Sequence, residues 1–211
     1  TDGKIVIGGV FSYIITVCWI VGITNAINLI DGLDGLSSGV TLISCLSLLM
    51  VFALNGSPLI AIVLITALAG ALVGFLPFNF SPAKTFIGDT GSNFMGFSLA
   101  IISILGVAKT YTALVLIAPI IILGMPIFDT LFAIFRRIIK GKSIKAVFKP
   151  DKGHLHHKLM AKGYTQKQAV LIMYGITAIL GMFAVILLES GIWKALSFAI
   201  LIVAIIAIGY K

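Results

Sequence analysis

Two carboxylates three residues apart, Asp31 and Asp34, lie in the stretch Asn25-Ala26-Ile27-Asn28-Leu29-Ile30-Asp31-Gly32-Leu33-Asp34-Gly35-Leu36, at the junction of two strongly apolar runs. Ionisable groups close to a bilayer are costly and usually mark an ion, substrate or proton site. With Asn28 one turn earlier, the two acids offer oxygen ligands suited to a hard cation such as magnesium. Gly32 and Gly35 let the backbone turn sharply and come close to a ligand. A single Asp-Gly reads equally well as a plain turn, but the doubled Asn-x-x-Asp-Gly-x-Asp-Gly pattern favours a site.

A second cluster, Gly88-Asp89-Thr90-Gly91-Ser92, stands where a loop enters a further apolar run. Its free backbone donors suit phosphate oxygens, and Asp89 suits a metal. Taken alone, Asp89 is equally a helix N-cap. The third cluster, His154-Leu155-His156-His157, sits among lysines, a setting for a diphosphate. Three close histidines also fit zinc, but no cysteine shares their face, and the other candidate ligands are oxygens better matched to magnesium. A solvated polar loop is the alternative for this segment. Asp129 reads as a partner for a basic residue that holds its helix. Arg137 reads equally as a phosphate contact and as a headgroup anchor.

The elements that position these groups are set by composition. Of 211 residues, 60% are apolar and 10% charged, which predicts an all-α polytopic integral membrane helical bundle. Seven apolar runs approach the roughly 20 residues of a transmembrane helix: Gly8–Leu29, Leu36–Leu54, Pro58–Leu76, Thr90–Val107, Tyr111–Ile139, Gln166–Leu188 and Ile192–Gly209. Pro119 and Pro126 predict that the fifth is one kinked helix running on into the interface. Ser57-Pro58 reads as N-cap and first helical residue, and Thr165 with Gln168 as a capping box. Gly70 and Gly74 suit close helix contact. Cys18 and Cys45 fall inside spans and read as small buried apolar residues with no disulfide framework. Nothing resembles a cleavable signal, and a start at Thr1 suggests that the natural N-terminus is missing. Residues 1–211 read as a single membrane domain with one polar loop at 140–165.

The net charge of +8 does not point to nucleic acid, because of where it sits. Arg136, Arg137, Lys140, Lys142, Lys145, Lys149, Lys152, Lys158, Lys162 and Lys167 cluster in or beside that loop, which the positive-inside rule places in the cytoplasm. Span parity then puts Lys84 and Lys211 on the same side and Lys4, Lys109 and Lys194 on the other. All three polar clusters face the cytoplasm by the same count, as do Asp129 and Asp151; Asp2 and Glu189 do not. A transporter would instead carry charges deep in its spans and some repeat symmetry.

With Asn-Ala-Ile-Asn-Leu-Ile-Asp-Gly-Leu-Asp-Gly-Leu, Phe-Ile-Gly-Asp-Thr-Gly-Ser and His-Leu-His-His in this order, the chain resembles the polyprenyl-phosphate N-acetylaminosugar-1-phosphate transferases over nearly its whole length. The resemblance implies a magnesium-dependent enzyme, with manganese as a substitute. Such an enzyme transfers a sugar phosphate from a UDP-N-acetylaminosugar to undecaprenyl phosphate at the cytoplasmic face of the plasma membrane and releases UMP. It also implies a role in starting cell-wall or surface polysaccharides such as teichoic acid or lipopolysaccharide, and a homodimer as a compatible assembly. The His-x-His-His form resembles the GlcNAc-1-phosphate branch, whereas the phospho-MurNAc-pentapeptide transferases, the alternative, typically show three consecutive histidines. Carried over by motif, Asn28 and Asp89 match positions implicated in magnesium and diphosphate binding, and Asp31 matches a catalytic acid. Asp34 and Phe86 match uridine contacts, with Gly32 and Leu33 in the same substrate-binding turn. Asn79 matches a polar active-site position, and His154, His156, His157 and Arg137 match groups near the diphosphate and sugar. The family usually has ten or eleven spans and an acidic pair in an earlier loop, so this chain resembles a C-terminal portion.

Overall fold

The computed structural model describes residues 9–107, 113–141 and 153–209. The expectations on Asp2, Lys4, Lys109, Tyr111, Lys142, Lys145, Lys149, Asp151, Lys152 and Lys211 lie outside them. Eight helices follow in order: α1 Gly9–Leu29, α2 Leu36–Leu54, α3 Leu59–Asn79, α4 Gly88–Val107, α5 Ala113–Ile122, α6 Gly124–Gly141, α7 Leu155–Ala161 and α8 Gln166–Gly209. No strand occurs among the described residues. Helices are the economical answer for such a chain, because in hydrocarbon every backbone polar group must be satisfied within its own segment.

Five of these helices are long and apolar enough to cross a membrane, or six when α5 and α6 count as one broken span. The expected count of seven changes at two places. The sixth and seventh runs are two helices joined end to end in α8 across a break at Gly191, where φ 79° and ψ 175° are not helical, and together they count as one candidate span, Gln166–Val203. In place of one kinked fifth helix there are two, bent by 66° about Leu123. Pro119 and Pro126 lie on either side of this bend, and each removes a backbone donor from the helical ladder.

The core gathers around α2, which packs against α3, α8, α4 and α5. Val40, Leu48 and Phe52 of α2 are fully buried together with Ile27, Ile65, Leu99, Ile122 and Met173 from its neighbours. Helix α1 lies mainly along α4, and halfway up that seam Trp19 Nε1 donates to Ser103 Oγ at 3.0 Å. Such a bond is a useful fastener where lipid offers no hydrophobic drive between helices. Gly96 sets the spacing of this pair: a Cβ there would stand 2.7 Å from Thr24 Cα and 3.0 Å from the Thr24 carbonyl oxygen. Backbone cannot step aside as a side chain can. Gly96→Ala is therefore expected to cost about 1–3 kcal/mol, read as a lowered thermal midpoint of the detergent-solubilised protein.

The local signals divide. Thr165 and Gln168 form the expected reciprocal box, Gln168 N to Thr165 Oγ1 at 3.3 Å and Thr165 N to Gln168 Oε1 at 2.9 Å. Ser57 does not cap α3: Pro58 holds the cap position with no side-chain bond, because the helix starts one residue later than expected. Among the described residues nothing lies within 4 Å of a Cβ at Gly70 or Gly74, and Cys45 is buried as expected whereas Cys18 is exposed on α1. The segment expected as a loop at 140–165 carries α7 in its described part.

Candidate functional site

The polar clusters converge at one end of the bundle, where α1 and α3 finish and α2, α4 and α8 begin. The turn between α1 and α2 is shaped by Gly35, which starts α2 from a left-handed φ of 77°, a conformation that side chains with a Cβ resist. Tyr174 of α8 donates its hydroxyl to the Gly35 carbonyl, tying the turn to the far side of the bundle. Leu33 is half-buried and packs onto the core. Asp31 Oδ1 accepts from Ser37 Oγ at 2.5 Å. Asp34 Oδ2 accepts from the Ala83 amide at 3.1 Å, which fastens the turn to the link between α3 and α4.

From α1, Asn28 Nδ2 donates to Ser92 Oγ at 2.8 Å and approaches Asp89 Oδ1 at 3.4 Å. Asp89 stands exposed in the first turn of α4, one residue past its start, so it is not the cap. Burial raises the Asp31 carboxyl above its usual range; the Ser37 bond works the other way, and the Asp89 carboxylate raises it further. Asp31, Asp89 and the carbonyl oxygen of Asn28, whose nitrogen is occupied by Ser92, make an oxygen donor set. That set fits a hard divalent cation. Among the described residues no group of three or more His, Cys, Asp or Glu is placed to hold a metal ion.

The three histidines occupy three environments. His154, buried, meets Asp129 Oδ2 through Nδ1 at 2.8 Å. His156, 1% exposed, stacks on His154 with ring centroids 5.9 Å apart. His157 is exposed, its ring 4.2 Å from that of His156. The Nε2 edge of His156 lies against Gly32: a Cβ on Gly32 would stand 2.6 Å from it. This contact joins the histidine helix to the aspartate turn. Asn79 is buried, its Oδ1 accepting from Ser38 Oγ at 2.6 Å and its Nδ2 donating to the Thr85 carbonyl at 2.9 Å. It braces the turn that presents Phe86, whose side chain is 74% exposed. Arg137 is half-buried on α6; its neighbour Arg136 donates from Nη1 to the Gly153 carbonyl at 2.6 Å.

Burial pushes the His156 imidazole down to about 4, the His157 and His154 charges act in the same direction, and Asp129 opposes them. Between the ordinary value of 6.5 and about 4, the unfolded chain takes up a proton that the folded one refuses. The contribution is therefore fully present above pH 6.5 and is lost as pH falls through about 4. The thermal midpoint is expected to drop across this window by an amount equivalent to roughly 2–4 kcal/mol, and His156→Asn should flatten the drop.

The sequence reading missed Ser37 and Tyr174, took Ser92 only as part of the Gly88–Ser92 cluster without its bond to Asn28, and gave Asp129 a basic partner without identifying His154. Serine and tyrosine in an apolar helix carry no signal of their own. Spacing would have suggested Ser92, which stands one turn after Asp89.

Comparisons with known proteins agree with these motifs. The model of glycosyl transferase family 4 matches residues 1–107. A probable undecaprenyl-phosphate N-acetylglucosaminyl 1-phosphate transferase of Bacillus subtilis is 50% identical over 188 residues, 89% of this chain and 51% of that protein. A decaprenyl-phosphate N-acetylglucosaminephosphotransferase of Mycobacterium leprae is 37% identical over 191 residues, 82% of this chain and 47% of its own length. A phospho-N-acetylmuramoyl-pentapeptide-transferase of Chlamydia muridarum is 38% identical over 184 residues, 85% and 52% of the two chains. The chain thus spans about half the length of the curated relatives it matches. The family match covers α1 with Asn28, the following turn with Asp31 and Asp34, and α4 with Asp89, and on this ground the chain belongs to glycosyl transferase family 4.

Proposed function

We propose that the protein transfers an N-acetylaminosugar-1-phosphate, GlcNAc-1-phosphate, from its UDP derivative to undecaprenyl phosphate. The reaction releases UMP at the cytoplasmic face of the plasma membrane and starts a surface polysaccharide. The observation that carries the reading is the convergence of Asn28, Asp31 and Asp89 from two helices at one end of an apolar bundle. The relatives' activities support the same kind of reaction. The 50% identity with the Bacillus subtilis protein favours GlcNAc over a MurNAc-pentapeptide donor.

Phosphoryl transfer needs positioning and charge neutralisation more than covalent help from the protein. Asn28 and Asp89 would hold magnesium, or manganese in its place, which when bound supplies positive charge to the donor diphosphate. Ser92 orients Asn28, and Ser37 holds one oxygen of Asp31. The exposed Phe86 offers a ring face for the uracil, and His157 offers a donor towards the diphosphate. A groove of about 760 Å³ runs along α6, lined mainly by apolar side chains such as Phe128, Leu131, Phe135 and Leu180, with Lys158 and Asp129 also in its wall. That pairing suits an isoprenoid phosphate entering from the bilayer. An oxygen of the lipid phosphate attacks the sugar-bearing phosphorus, the bond from that phosphorus to the bridging oxygen breaks, and UMP leaves with the bridging electrons.

The test is UMP release from UDP-GlcNAc by the full-length protein in lipid. Release that requires both undecaprenyl phosphate and magnesium supports the proposal; release that needs neither, or none with any UDP-HexNAc donor, overturns it. Exchange of labelled UMP into UDP-GlcNAc without the lipid would replace direct attack by a covalent aspartyl route.

A further inference from the structure

One face of α6 reaches across to the segment that leads into α7. Asp129 Oδ1 accepts the Leu155 amide at 2.7 Å, and Oδ2 meets His154 Nδ1 at 2.8 Å. Three residues on, the Phe132 ring lies 4.2 Å from Lys158 Nζ and 5.5 Å from the Arg136 guanidinium carbon, within reach of a cation–π attraction. A turn further, Arg136 holds the Gly153 carbonyl at 2.6 Å. Residues three and seven apart share a helical face, so the three contacts act as one clamp on residues 153–158. The Asp129 and His154 side chains are each 6% exposed. From there the path to the site is short: His154 stacks on His156, and His156 abuts Gly32 beside Asp31.

We propose that Asp129 is a positioning residue for the transfer reaction: it fixes the His154 ring with its proton on Nδ1 and pins the start of α7, so that His156 and His157 are held against the Asp31–Asp34 turn. The contacts of Asp129 run to the His154 ring and the Leu155 amide, and through the histidine helix they reach the aspartate turn. A buried carboxylate can only accept; facing His154 Nδ1 it requires a proton there and leaves Nε2 to interact elsewhere. The same carboxylate's other oxygen ties ring orientation to helix placement. The effect on catalysis rests on the function proposed above, whereas the ring state does not.

Two measurements separate the two. Nitrogen-15 NMR of the imidazoles of the full-length protein in lipid is expected to find His154 Nδ1 protonated. Asp129→Asn keeps an oxygen for Leu155 but turns an amide donor towards the ring, and is expected to move the His154 proton to Nε2. In the UMP-release assay the same variant should lower kcat by about 10–100-fold with little change in KM for UDP-GlcNAc. Asp129→Glu, which keeps the acceptor, should restore the Nδ1 proton and part of kcat. A wild-type His154 protonated at Nε2 alone overturns the proposal without any variant. So does a proton position indifferent to Asp129→Asn, or an equal loss of kcat in the Asn and Glu variants. If the wild type transfers nothing while Asp129→Asn still moves the His154 proton, the functional reading fails and the positioning role of Asp129 stands.

Discussion

Asp89→Asn is expected to lower UMP release from UDP-GlcNAc by at least about 10²-fold, while membrane insertion and thermal midpoint stay close to those of the wild type. The asymmetry follows from where Asp89 stands. It is exposed in the first turn of α4, and its described side-chain contact is the 3.4 Å approach of the Asn28 amide. Little packing is lost when one oxygen becomes nitrogen, so the stability change should fall within about 0.5 kcal/mol. What is lost is a negative charge at the point where a cation would bind. Removing that charge also withdraws one cause that raises the Asp31 carboxyl, so Asp31 should titrate closer to its ordinary range. Turnover within a few-fold of wild type would eliminate Asp89 as a metal holder.

Gly32→Ala should be as damaging by a different route. The added methyl would stand 2.6 Å from His156 Nε2 and 3.1 Å from Cε1, too close for any ordinary contact. His156 cannot retreat easily, being buried and in ring contact with both His154 and His157. Gly32 has no left-handed φ, so the substitution tests the close approach and not backbone strain. A displacement of the histidine helix by about 1 Å is expected to cost on the order of 10²-fold in kcat/KM, with about 1–3 kcal/mol of stability from overpacking. Gly22→Ala is the control, because nothing lies within 4 Å of a Cβ at Gly22. Equal behaviour of the two variants would mean that the contact between His156 and the aspartate turn has no bearing on transfer.

These two residues also mark how far the sequence could be read. Asp31, Asp34 and Asp89 stand out because acids are rare in an apolar chain, and hydropathy alone delimits α1, α2 and α3 to within a few residues. Helix α7 did not stand out, since seven residues are too few to display a period. The burial of His154 and His156 was equally hidden, because it depends on Asp129 arriving from a helix bent away from its predecessor. The prolines announced a disturbance between α5 and α6 but not that the chain would divide at Leu123. Likewise Gly70 and Gly74 had a pattern that suits contact, but no neighbour among the described residues answers it. A local pattern reports what a segment can do, whereas the partner is supplied by the rest of the fold.

The bonds that hold the donor set together span long stretches of chain, Asn28 to Ser92, Asp34 to Ala83 and Gly35 to Tyr174, as does the close approach of His156 to Gly32. With α1 and α2 in the bilayer but α4 and α8 not yet packed, both aspartates of the turn are present without these fastenings. Contacts so distant in sequence form late. Assembly of the donor set therefore waits on the docking of α4 and α8, and until they pack the acids of the turn are present without the geometry that makes them a site.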